Sequence, residues 1–197
     1  MDALEAIFTR RSTRKLKSEK VSRDLIEKVV EAGRVAACGG NSQTTHFIVI
    51  ENKQILDALA QLAEKEFAQM HVKPDTYKSL RTSITASKRG GYVFHYNAPV
   101  LIVTANRIGY GNAMADSACA LENMMIAANA LDLGACWINQ LHWLTDHEAV
   151  KACMSDLGMT EDEYVTGGLI LGYPDTEDGL PIRTERKMIG NPVSWIE

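Results

Sequence analysis

Long apolar runs are missing from this 197-residue chain, and nothing in it approaches the ~20 apolar residues of a membrane span. Excess positive charge is missing too. Lys plus Arg is 21 against 25 for Asp plus Glu, a net charge of -4, which argues against nucleic acid held by bulk charge. A local basic site is still allowed. Cysteine is sparse: Cys38, Cys119, Cys136 and Cys153 lie far apart, with no CxxC and no Cys/His zinc spacing. They read as thiols rather than disulfides. Cys119, Cys136 and Cys153 read as small core hydrophobes, and Cys38 lies in a glycine loop. Asp2 and Glu5 stand where a signal peptide carries positive charge, so the expected location is cytoplasmic. No GxGxxG, P-loop, HExxH or GxSxG occurs, which argues against the nucleotide folds, zinc proteases and hydrolases those motifs mark. His46, His71, His95, His142 and His147 show no metal spacing, and no metal site is expected.

What is present is an ordinary globular composition, 46% apolar and 23% charged. No repeat, low-complexity tract or linker divides it, so residues 1–197 read as one domain. Leu4, Ile7 and Phe8 form a short helical stripe ending at Thr9. Ser22 reads as the N-cap of a helix running to about Val35. His46 to Glu51 reads as a mostly buried strand, and Ile55, Leu59, Leu62 and Ala63 as a helix. From about Met70 to Asn97 the pattern is weak, a mobile or helical excursion. Pro99 opens a strand, Val100 to Ala105. The longest helical signal runs from about Asn112 to Asp132 and is apolar on most sides, a central or interface helix. Gly134 reads as its cap, with a strand at Ala135 to Ile138. Thr145 with Glu148, and Thr160 with Glu163, read as capping boxes opening two more helices. Leu169 to Leu171 is a fourth strand, and Pro192 to Ile196 a strand-like tail without a local partner. The layout is α+β, a sheet packed by helices.

Four segments carry polar chemistry. Arg10-Arg11-Ser12-Thr13-Arg14-Lys15 packs four cations and two hydroxyls into six residues. It reads either as an anion site for a phosphorylated ligand or as a solvated basic turn. Cys38-Gly39-Gly40-Asn41-Ser42-Gln43 offers glycines and two amides, either a ligand-reading loop or a helix C-cap. Ile138-Asn139-Gln140 ends a strand in two more amides. Arg183, Arg186 and Lys187 form a second basic cluster, and two such clusters in an acidic chain suit one shared phosphate.

Taken in order, these segments resemble the FMN-dependent nitroreductase family. The resemblance rests on Arg10-Arg11-Ser12-x-Arg14, Gly40-Asn41-x-Gln43, His46 to Ile50, Ala98-Pro99, Leu133-Gly134-Ala135-Cys136-Trp137-Ile138 and Leu171-Gly172-Tyr173-Pro174 before a basic tail. It implies a mixed, mainly antiparallel sheet flanked by helices, a long interface helix, and a C-terminal tail exchanged between the subunits of a homodimer. It implies FMN as cofactor, reduced by NADH or NADPH and reoxidised by a nitroaromatic, quinone or similar acceptor in ping-pong order. By position it gives Arg10, Arg11, Ser12 and Arg14 contacts to the phosphate, ribityl chain and ring. Cys38, Gly39, Asn41 and Gln43 match the loop that the family offers from the partner subunit. Ile138, Asn139 and Gln140 match the segment bordering the flavin N5 edge, and Arg183 and Arg186 the C-terminal phosphate contacts. No side chain is expected to serve as an obligatory acid or base, and neither nucleic acid nor membrane is an expected partner. A flavin carrier or sensor without nicotinamide-driven turnover is the rival reading, followed by a non-flavin anion-binding regulator.

Overall fold

The computed structural model describes residues 1–184 and 189–197. In chain order its elements are α1 (Ala3–Thr9), α2 (Arg23–Arg34), β1 (His46–Ile50), α3 (Lys53–Gln69), α4 (Lys78–Arg89) and β2 (Val100–Arg107). Then come α5 (Ala113–Ala130), β3 (Gly134–Ile138), α6 (Gln140–Trp143), α7 (Glu148–Asp156) and β4 (Glu163–Gly172). The four strands lie in the order β1-β2-β4-β3, and every pair is antiparallel. Among the described residues, parallel character enters only through an isolated bridge between Ser12 and Ala135.

Both faces of this sheet are covered, because successive side chains of a strand point to opposite sides. Leu101, Val103 and Ala105 of β2 join Leu59 and Phe67 of α3, Ile84 of α4 and Val150 of α7 in one core cluster. Val100 and Ile102 join Ile26 and Val29 of α2 and Leu121 and Met124 of α5 in the other. A bulge falls where Thr104 pairs with Gly167 and Ala105 with Val165. The buried Thr166 left between them has its hydroxyl within 3.1 Å of Thr104 Oγ1 and 2.9 Å of Ser117 Oγ. Buried polar groups need such partners.

Several expectations are corrected. Leu131, not Gly134, caps α5, and Asp132 takes the left-handed conformation (φ 59°). Gly134 is the first residue of β3, where a Cβ would meet Leu16 Cδ2 at 2.6 Å and Thr13 Cγ2 at 2.8 Å. Thr145 makes no capping box. Its hydroxyl accepts the Val165 N–H at 2.9 Å, and His147 stands at the start of α7. Glu163 does accept the Thr160 N–H, but a strand follows and not a helix. β1 is one of the two outermost strands, and Phe47 and Val49 are only half-buried. The weak stretch from Met70 to Asn97 is not among these corrections: it holds α4, the helical one of the two expected alternatives. Cys119 is exposed rather than in the core. Val193, Trp195 and Ile196 of the tail are exposed and outside any strand. Among the described residues no helix is long and apolar enough to cross a membrane.

Candidate functional site

Arg183 of the second basic cluster meets the first at the end of α5. Asn129, buried in its last turn, donates through Nδ2 to the Ala6 carbonyl and to Thr9 Oγ1, each at 3.0 Å, which seats α1 on α5. The same side chain accepts from Arg183 Nε at 3.2 Å. Arg183 Nη2 also donates to the Asn129 carbonyl and to Asp132 Oδ1, each at 2.6 Å. Cations are favoured there by the free carbonyls of a helix C-terminus. Arg11 donates to the Phe8, Arg10 and Thr184 carbonyls, and Arg10 Nε to Glu122 Oε1 at 3.1 Å. Arg10, Arg11 and Arg183 are thus gathered in one region. Arg186, with Lys187, lies outside the described residues.

From there the chain runs beside β3. The Thr13 N–H donates to the Ala135 carbonyl at 2.9 Å, next to the Ser12–Ala135 bridge. This backbone contact carries Arg14 to the far end of β3. There a cavity of about 200 Å³ is lined by Arg14, Ile138, Asn139 and Gln140 together with Tyr77, Tyr96 and Trp143. The Arg14 guanidinium stands 6.0 Å from the centre of the Tyr96 ring, and Tyr77 meets Trp143 edge to face at 6.2 Å. Asn139 Oδ1 accepts from Trp137 Nε1 at 2.7 Å. Gln140 Nε2 donates to Tyr92 Oη at 3.0 Å, while its Oε1 is buried with no partner. Burial pushes the Tyr92 hydroxyl up from its ordinary pKa, so it stays protonated. Burial likewise pushes up the Cys136 thiol beside this cavity, against the opposing pull of Arg14, so it is no thiolate nucleophile.

The loop Cys38–Gln43 lies apart from this cavity. Gly40, Asn41 and Gln43 all have positive φ (59°, 56° and 49°), as a tight turn rich in Gly and Asn allows. Asp116, in the first turn of α5, pins the loop. Its carboxylate accepts from the Gly39 N–H at 2.9 Å, Tyr110 Oη at 2.9 Å and Ser42 Oγ at 3.3 Å. Gly39 leaves room for its neighbours here, since a Cβ would fall 2.1 Å from Asn112 Nδ2 and force that side chain to shift. Gln43 Nε2 donates to Asn41 Oδ1 at 2.9 Å. Cys38 and Gln43 line a separate hollow with Phe47 and Asp116, sharing no residue with the Arg14 cavity. Within one chain the structure therefore joins Arg14 to residues 138–140 but does not join them to the loop.

Sequence reasoning missed the aromatic walls Tyr77, Tyr96 and Trp143, and the anchors Asp116, Tyr110 and Asn129. Asp116 and Asn129 did leave a trace, as polar residues in an otherwise apolar helix.

Fold and site together define a class: a three-layered α+β domain, helices on both faces of an antiparallel sheet, with an aromatic and cationic cavity at the end of one strand. The Nitroreductase family model matches residues 7–173, and the chain belongs to that family. A nitroreductase from Bacteroides fragilis, solved with bound FMN, is 31% identical with a TM-score of 0.85, each chain covered in full. A second, from Desulfitobacterium hafniense and also with bound FMN, shares the fold at 23% identity and a TM-score of 0.79, again over both full chains. A protein from Archaeoglobus fulgidus, provisionally named an NADH dehydrogenase/NAD(P)H nitroreductase, is 28% identical over 89% of this chain and 87% of its own.

Proposed function

We propose that this protein is an FMN-dependent oxidoreductase that works as a cytoplasmic homodimer. The observation that carries the reading is the shared cavity of Arg14 with Ile138, Asn139 and Gln140, joined by backbone to a cluster of Arg10, Arg11 and Arg183. The residues present fit the group. The arginine cluster can hold a phosphate by exchanging its present partners, Glu122 and Asp132 among them, since guanidinium binds phosphate oxygens in pairs. Tyr77, Tyr96 and Trp143 supply flat apolar surface for a ring system, and the unpartnered Gln140 Oε1 offers an acceptor beside it. The FMN phosphate would fall to Arg10, Arg11, Arg183 and Arg186, the ribityl chain to Ser12, and the ring to Arg14 and residues 138–140.

The chemistry FMN supplies when bound is hydride uptake from NADH or NADPH and delivery to a nitroaromatic, quinone or similar acceptor, in ping-pong order. The chain's own part is positioning and electrostatics. Arg14 places positive charge at the cavity where negative charge would develop, a preorganised contribution. Asn139 and Gln140 hold their amides through Trp137 and Tyr92, so they orient rather than react. No side chain is asked to act as acid or base.

A partner copy would complete the site by contributing Cys38, Gly39, Asn41 and Gln43. Support comes from exposed apolar surface: Leu4 and Phe8 on α1, Met114 on α5, and Val193, Trp195 and Ile196 in the tail. Burying these side chains against a second copy would remove apolar surface from water. The tail would lie across the partner. The test is an anaerobic titration of the purified protein with each nicotinamide, followed by an acceptor panel. A yellow protein bleached by NADH or NADPH and recoloured by a quinone or nitroaromatic is the expected result. A colourless protein that ignores added FMN overturns the reading. A yellow protein that neither nicotinamide reduces makes it a flavin carrier.

A further inference from the structure

A second cavity, of about 460 Å³, opens between Ser18–Arg23, the start of α3 and the turn before β2. That volume lies in the ~300–1,000 Å³ range of small-molecule sites. It shares no residue with the Arg14 cavity. Its apolar lining comes from Val21, Leu56, Ala98, Pro99 and Val100.

His95 also lines it, and nothing in the proposed redox chemistry uses this residue. The side chain is 2% exposed, and neither ring nitrogen makes a well-formed hydrogen bond, although the Leu56 backbone lies near enough to pull weakly on the ring. Buried imidazoles are normally paired, so one left open against a cavity asks for a ligand. Tyr96 and Asn97, which follow it, both have positive φ (54° and 56°), uncommon for residues other than glycine. The Ala98 N–H closes this turn onto the His95 carbonyl at 3.0 Å. Burial holds the imidazole below its ordinary pKa, so at neutral pH it offers one N–H and one lone pair.

The surrounding charges are largely spent. Arg23 pairs with Glu51 at 2.7 Å, and Lys53 with Asp57 at 2.6 Å. Lys20 lines the cavity and has no acidic partner among the described residues. The cavity therefore combines an apolar wall, one open imidazole and one uncompensated cation. A phosphate would want more cations and less apolar wall.

We propose that this cavity binds a small aromatic carboxylate, its ring against Val21, Leu56 and Pro99 and its carboxylate between His95 and Lys20. The site stands independently of the flavin.

Calorimetric titration of the protein as purified with 2-naphthoate tests this. One naphthoate per chain is expected, with 2-naphthylmethylamine, a cation of similar shape, binding about ten-fold more weakly or less. Lys20→Glu, on an exposed side chain, should weaken naphthoate about ten-fold or more. His95→Phe should do the same while the urea midpoint at neutral pH is held or raised, since an unpaired polar group is removed. Arg14→Ala should leave naphthoate affinity unchanged. Absence of binding overturns the proposal, as does binding indifferent to Lys20→Glu. Binding lost in Arg14→Ala overturns it too, because the probe then sits in the Arg14 cavity.

Discussion

Arg183 grips Asn129 twice, through the side-chain oxygen at 3.2 Å and the backbone carbonyl at 2.6 Å. The segment that follows the last strand is thereby fastened to the last turn of α5, while Asn129 reaches the other way to α1. One buried amide joins the beginning, middle and end of the chain. The expected outcome of Asn129→Ala is a loss of about 2–3 kcal/mol, because the Ala6 carbonyl and Arg183 both lose a partner. Urea unfolding measures the loss, and FMN affinity should fall with it.

Arg14 behaves differently, since it is exposed and its only described partner is the Tyr96 face. Arg14→Ala should leave the melting temperature within about 2 °C, as for most surface changes. Flavin retention after dialysis should fall about ten-fold or more, the scale of a lost charge-assisted contact. Unchanged flavin occupancy would remove Arg14 from the site.

Asp116 stands between fold and site. Asp116→Ala strands the Gly39 N–H and leaves the Ser42 and Tyr110 hydroxyls only each other and the Gly39 carbonyl, and should cost about 2–3 kcal/mol. Asp116→Asn should cost less, because the amide oxygen keeps the Gly39 contact and the two hydroxyls can accept from the NH2. If the loop completes a partner's site, both variants should also weaken FMN binding in the order Ala more than Asn. Equal flavin affinity in all three proteins would detach the loop from the cofactor.

His95 sets an acid limit on stability. Burial lowers its pKa below the ordinary 6.5, against weaker opposing pulls from the Leu56 backbone and Asp57 and with Lys53 reinforcing it. As pH falls through 6.5 the unfolded chain takes up a proton that the folded chain refuses, so stability drops with pH until the folded value is passed. His95→Phe has no such proton to take. Its advantage over the natural chain should widen from pH 7 to pH 5, measured by urea midpoints. A gap independent of pH would mean that His95 titrates normally.

Much of this architecture was readable because its causes are local. Ser22 before an apolar period and the run His46 to Ile50 announce their elements within a few residues. The errors have a common origin in competition from distant partners. Thr145 gave up its capping role to the Val165 N–H, and Gly134 answers to Thr13 and Leu16 rather than to the helix before it. The ties that build the site are longer still. Asn129 meets Ala6 across 123 residues and Asp116 meets Gly39 across 77, and no periodicity records such a contact. The basic, amide and strand segments were legible as an ordered set, while the aromatic cavity walls lay partly in the weakly patterned stretch around Tyr77 and Tyr96.

The Ser12–Ala135 bridge has a bearing on solubility. β3 is an outermost strand, and its apolar Gly134–Ile138 backbone would offer unpaired amides and carbonyls to any passing strand. The arm that leads to Arg14 lies over that side, with the Thr13 N–H already on the Ala135 carbonyl. A protein stripped of whatever anchors its basic arm is therefore at risk of self-association before it is at risk of unfolding, with turbidity preceding any loss of helical signal.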